Sequence, residues 1–119
     1  MKILLVFLGG GLGSVCRYAV SVAMARSGSP LPWATLLVNV LGCLLIGLLA
    51  QTLARDSVLR ALFIAGFCGG FTTFSTFVNE GTALGRDGNL TGLALYVAGS
   101  VAVGFACLWA GNSMARAVQ

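Results

Sequence analysis

Gly66-Phe67-Cys68-Gly69-Gly70-Phe71-Thr72-Thr73-Phe74-Ser75-Thr76-Phe77 lies inside an otherwise apolar stretch running from residue 58 to residue 84. Two adjacent glycines followed by two threonines continue a helix poorly, because glycine loses the most backbone entropy and β-branched threonine loses rotamer freedom. A break is predicted between Gly69 and Thr73. In hydrocarbon no water satisfies the N–H and C=O groups that a break releases, so it persists only inside protein, at a bound ion or along a wet cavity. That requirement points to transport.

Outward from this stretch the chain is membrane-like throughout. Of its 119 residues 58% are hydrophobic and only 8% charged, and the mean hydropathy of +0.97 lies far above that of a soluble domain. A membrane-spanning helix needs about 20 apolar residues. Polar punctuation divides the single domain, 1–119, into four such stretches, 3–25, 33–53, 58–84 and 90–110. The connections are short, so adjacent spans run antiparallel. The net charge of +4 comes from seven basic residues scattered singly, which excludes the Lys/Arg runs of a nucleic-acid surface.

Met1-Lys2 followed by residues 3–16 has the look of a signal peptide, with Ala23-Met24-Ala25 as a cleavage site. Arg17 interrupts that pattern and three further spans follow, so the segment is read as a retained first span. Gly10, Ser14, Arg17 and Ser21 share one small, polar face, and Gly9 and Gly13 have the spacing of close helix packing. Arg17 is either a pathway cation or an anchor snorkelling to an interface.

Ser29-Pro30-Leu31-Pro32 is a turn, and Trp33 marks an interface. In the second span Thr35 and Asn39 lie one turn apart. Asn39 serves either as interhelical glue or as an amide donor to an anion. Beyond the break, Thr72, Ser75 and Asn79 form one stripe and Thr73, Thr76 and Glu80 another beside it, while Phe71, Phe74 and Phe77 recur every three residues. Half of this helix is polar, so it faces water or protein rather than lipid. Asn89 suits a helix N-cap, and in the fourth span Tyr96 and Ser100 share a face. Leaving Arg17 aside, the basic residues divide four (Lys2, Arg55, Arg60, Arg116) against two (Arg26, Arg86) between the two sides, a bias weak enough to permit insertion both ways up.

Cys16, Cys43, Cys68 and Cys107 fall one per span without CxxC spacing, and the chain has no histidine; they are read as packing residues. With no phosphate-binding loop and no free pair of carboxylates, an enzyme is not expected.

Gly69-Gly70-Phe71-Thr72-Thr73-Phe74-Ser75-Thr76-Phe77, Arg17-Tyr18 and Val38-Asn39-Val40-Leu41-Gly42 together resemble the fluoride channels called Fluc or CrcB. The resemblance covers the whole chain. It implies an all-α membrane protein in the plasma membrane of a prokaryote, four helices with the third broken at mid-membrane, assembled as an antiparallel homodimer of dual topology. Fluoride would leave the cytoplasm passively through two pores. A structural Na+ at the dimer centre would be held by the backbone carbonyls of Gly69 and Thr72. Phe74 and Phe77 would be the pore phenylalanines, Asn39 a pore-lining donor, and Ser75, Thr76 and Glu80 the polar track, lined from the fourth span by Tyr96 and Ser100. Arg17 would be the vestibule cation. The partners implied are fluoride, a second copy of the chain and the lipid bilayer, with no nucleic acid.

Two rival readings are a proton-coupled exporter resembling the small multidrug resistance proteins, with Glu80 as proton carrier, and a non-conducting assembly subunit. Small multidrug exporters carry their carboxylate in the first span, where this chain has Arg17.

Overall fold

The computed structural model describes residues 1–119 and is all helical. Helix α1 is Lys2–Met24, continued by a 3-10 turn at Ala25–Ser27. Helix α2 is Trp33–Thr52. The α-helical turn Ser57–Leu59, a π-helical stretch Arg60–Cys68 and the turn Gly69–Phe71 form one continuous rod, α3, covering residues 57–71. Helix α4 is Ser75–Arg86, and α5 is Leu90–Val118. Four segments are long and apolar enough to cross a membrane: Lys2–Ser27, Trp33–Thr52, Ser57–Arg86 and Leu90–Val118. At about 1.5 Å per residue, the 20 residues of α2 match the hydrocarbon thickness of about 30 Å. The last helix runs eight residues beyond the expected limit at 110, because nothing between Gly111 and Val118 breaks it.

Helix ends follow local chemistry. The Asn89 side chain accepts a hydrogen bond from the Gly92 N–H at 2.9 Å, the cap expected there. Asp56 caps α3 in the same way, accepting from the N–H groups of Val58 and Leu59. Between α1 and α2 the Ser29 hydroxyl accepts from the Trp33 indole N–H at 2.9 Å, tying the proline turn to the start of α2.

Two parallel helix pairs build the bundle, α1 with α3 and α2 with α5. Their register is set by glycine. A Cβ at Gly9 would collide with the Leu62 carbonyl, and one at Gly13 with the Phe67 carbonyl. The two backbones therefore touch, and α3 has the wider π pitch along this contact. In the second pair, Gly47 and Gly111 bring α2 against α5 equally closely. Helix α4 packs mainly on α5.

Candidate functional site

Helical geometry stops at Phe71, where Thr72 turns extended (φ −85°, ψ 159°), and resumes at Ser75. The helix lapses at residues 72–74, not at the glycines. Gly69 itself is right-handed helical (φ −62°, ψ −38°). Gly70 serves close approach instead, since a Cβ there would collide with the Gly10 carbonyl of α1.

Two backbone donors at this turn are redirected to side chains. The Thr73 N–H, which in a continuous helix would reach the Gly69 carbonyl, donates to Asn39 Oδ1 at 2.8 Å. Asn39 Nδ2 donates back to the Thr73 carbonyl at 3.0 Å. The Thr76 N–H donates to Thr73 Oγ1 at 3.4 Å instead of to the Thr72 carbonyl, and Thr73 Oγ1 donates to Thr76 Oγ1 at 3.0 Å. Thr72 keeps a helical bond behind it, its N–H and hydroxyl both donating to the Cys68 carbonyl. From α1, Arg17 Nε donates to the Gly70 carbonyl at 3.1 Å and Ser14 Oγ donates to it at 3.4 Å. The carbonyls of Gly69 and Thr72 are thus deprived of their helical donors. These are hard oxygen ligands at the negative end of a half-helix, the donor type that suits an alkali cation. No cluster of His, Cys, Asp or Glu suited to a metal exists in the chain.

A second group lies along α4. The rings of Phe74 and Phe77 are 5.9 Å apart, and Phe77 meets the Tyr96 ring of α5 at 5.0 Å, tilted by 47°. Glu80 joins three helices: its Oε1 accepts from the Thr35 hydroxyl of α2 at 2.8 Å and its Oε2 from the Tyr96 hydroxyl at 2.9 Å. Thr35 and Tyr96 are both buried, each 4% exposed. Ser100, one turn after Tyr96, has a buried Oγ with no hydrogen-bond partner, and both residues line a cavity of about 160 Å³ together with Leu31, Pro32 and Trp33.

Residues 4–112 match the family described as CrcB-like protein, Camphor Resistance (CrcB). The chain belongs to the CrcB family. A relative from Chlorobaculum tepidum, named fluoride-specific ion channel FluC, is 47% identical over 122 residues, covering 99% of this chain and 97% of its own. Proteins of the same name from Chlorobium luteolum and Rhizobium johnstonii are 43% and 44% identical, covering 98% and 99% of this chain and 93% and 98% of their own. These relatives are named as channels, and this CrcB chain is not an enzyme.

The CrcB chain brings Phe74, Phe77, Glu80 and Tyr96 into one contact group and sets Ser100 beside it. Asn39 instead bonds Thr73 within the turn at residues 72–74, and Arg17 bonds the Gly70 carbonyl just before it. Ser75 is exposed and makes no side-chain hydrogen bond. Thr35, Thr73 and Ser14 complete the site without having been singled out as site residues. Their positions carried a signal, since Thr35 lies one turn before Asn39, and Ser14 lies on the same face of α1 as Arg17.

Proposed function

We propose that this chain is a fluoride channel, through which the ion leaves the cytoplasm passively. Its near full-length identity of 47% to a protein named fluoride-specific ion channel carries the reading. Fluoride holds water tightly, so a narrow path must replace that water with N–H and O–H donors. The hydroxyls of Ser75 and Ser100 donate to nothing within the chain, and Thr76 only accepts from Thr73, so its own O–H is free. Asn39 retains one amide hydrogen beyond the one donated to Thr73. The rings of Phe74 and Phe77 present positively polarised edges, which add weak contacts for a small anion. Arg17 supplies positive potential, its terminal N–H groups making no hydrogen bond within the chain.

Glu80 acts as an orienting group in this scheme. Both carboxyl oxygens accept hydroxyl protons, so the Tyr96 hydroxyl turns toward Glu80 and its ring toward Phe77. That arrangement suits a fixed element of the wall rather than a proton carrier.

The working unit in this proposal is an antiparallel homodimer with two pores, its third span broken at mid-membrane, in the plasma membrane of a prokaryote. Phe74 is 77% exposed in the single chain, and Gly69, Ser75 and Asn79 are exposed beside it. Polar backbone at a helix break is not tolerated against lipid, so this face needs protein cover; a second copy supplies it. Na+ at the dimer centre would be held by the Gly69 and Thr72 carbonyls, and would neutralise their negative potential where both copies present it.

Fluoride efflux from liposomes containing only the purified protein tests this reading, with chloride-loaded vesicles in parallel and no pH gradient. Fast fluoride release with negligible chloride release is expected. Release that needs a proton gradient would favour coupled export through Glu80. Properly inserted protein that releases neither ion would favour the assembly subunit.

A further inference from the structure

The end of α3 frees a third carbonyl besides those of Gly69 and Thr72, and α1 takes it. Gly70 accepts from Arg17 Nε at 3.1 Å and from Ser14 Oγ at 3.4 Å, while its backbone rests on Gly10. Arg17 is half-buried within a spanning helix, where a cation ordinarily finds a carboxylate or water. Here its Nε goes to a backbone oxygen at a helix C-terminus, the negative end of the half-helix dipole.

We infer that Arg17 is a positioning residue for a cation site: it holds the Gly70 carbonyl against α1 and leaves those of Gly69 and Thr72 to a small alkali cation. The inference rests on the sodium reading above. Without the guanidinium, only the longer Ser14 bond of 3.4 Å still holds the Gly70 carbonyl, which can then turn toward the same cation and add an oxygen to its shell. A fixed positive charge also leaves the neighbourhood. A shell with more oxygens and less opposing charge accepts the larger K+ as well, because selectivity among hard cations follows ligand number and field strength. Arg17 therefore sets a preference for Na+ over K+.

Thermal unfolding of the full-length protein in NaCl and in KCl at equal concentration tests this without measuring flux. Wild type unfolds at a higher midpoint in NaCl, by a margin that grows with concentration, because a ligand bound only to the folded state stabilises it by mass action. Arg17→Met loses most of that Na+-over-K+ difference. Arg17→Lys, which keeps a cationic donor on the same helix face, retains it. A merely structural arginine would lower both midpoints of the methionine variant together and leave the difference intact. A methionine variant with the full wild-type difference, or a lysine variant without it, overturns the assignment. The lysine variant also decides the matter where the methionine variant does not fold. A wild type indifferent to the cation overturns the sodium reading, and this inference with it.

Discussion

Asn39 and Thr73 bond reciprocally, the side-chain amide of one matching the backbone peptide of the other at 2.8 and 3.0 Å. The amide replaces the helical partners that Thr73 lost at the turn, so Asn39 is interhelical glue, with one amide hydrogen left over. Removing Asn39 leaves a peptide without partners in a membrane interior. Asn39→Ala is expected to destabilise the protein by about 1–3 kcal/mol, read as a lower thermal midpoint. Asn39→Asp keeps the acceptor for the Thr73 N–H but sets its negative charge against the Thr73 carbonyl and against the anion, so fluoride efflux stops. Full flux in the aspartate variant would remove Asn39 from the pathway.

Phe74 and Phe77 stand 5.9 Å apart on α4, and neither holds the turn at residues 72–74. Replacing both with isoleucine therefore leaves folding and assembly intact, as judged by gel filtration, and abolishes fluoride efflux. Undiminished efflux would show that the rings only pack.

Ser100 separates pathway from packing most sharply. Its buried hydroxyl satisfies nothing inside the chain, so Ser100→Ala is expected to change stability by less than about 0.5 kcal/mol. Fluoride flux falls roughly tenfold if one hydrogen bond of about 1.4 kcal/mol to the ion is lost. Efflux at the wild-type rate assigns Ser100 to the wall alone.

For Glu80, the two accepted hydroxyl protons specify the outcome of Glu80→Gln. The amide accepts from one of Thr35 and Tyr96 but must offer an N–H to the other, reversing that hydroxyl. Flux is expected to fall about tenfold, the equivalent of one misplaced hydrogen bond. Tyr96→Phe keeps the ring contact with Phe77 and is the milder change. Equal losses in the two variants would place the hydroxyl itself, rather than its orientation, in the pathway.

Gly13 tests the α1–α3 contact independently of transport. A methyl group there meets the Phe67 carbonyl, a backbone atom that cannot turn aside. Gly13→Ala should cost about 1–3 kcal/mol by overpacking, measured as a shifted denaturation midpoint. An unshifted midpoint would mean that α1 is free to move away from α3.

Much of the architecture is legible in residue order because a bilayer imposes one-dimensional rules. Apolar stretches near 20 residues must span, and Ser29-Pro30-Leu31-Pro32, Arg55-Asp56-Ser57 and Arg86-Asp87-Gly88-Asn89 must be turns. The Asn89 cap is local too, needing only the Gly92 N–H three residues on. Even the polar stripes of α4 are visible, since residues three and four apart share a helix face.

Partnership is another matter, because it joins residues far apart in the chain. Asn39 is 34 positions from Thr73, Arg17 is 53 from Gly70, and Thr35 is 45 from Glu80. No periodicity specifies such pairs. Sequence marks a weak helix at Gly69 to Thr73, yet the glycines remain helical and the turn falls on Thr72 to Phe74. The tertiary structure decides this, for Gly70 must stay helical to lie against Gly10, whereas Thr73 finds in Asn39 the hydrogen bonds that leaving the helix removes. The sequence by itself determined a four-span, membrane-embedded chain with a polar third span, through hydrophobicity and spacing. Only the packed helices decided where the backbone turns and which of its carbonyls stay free, because a polar group in hydrocarbon bonds wherever a neighbouring helix offers a partner.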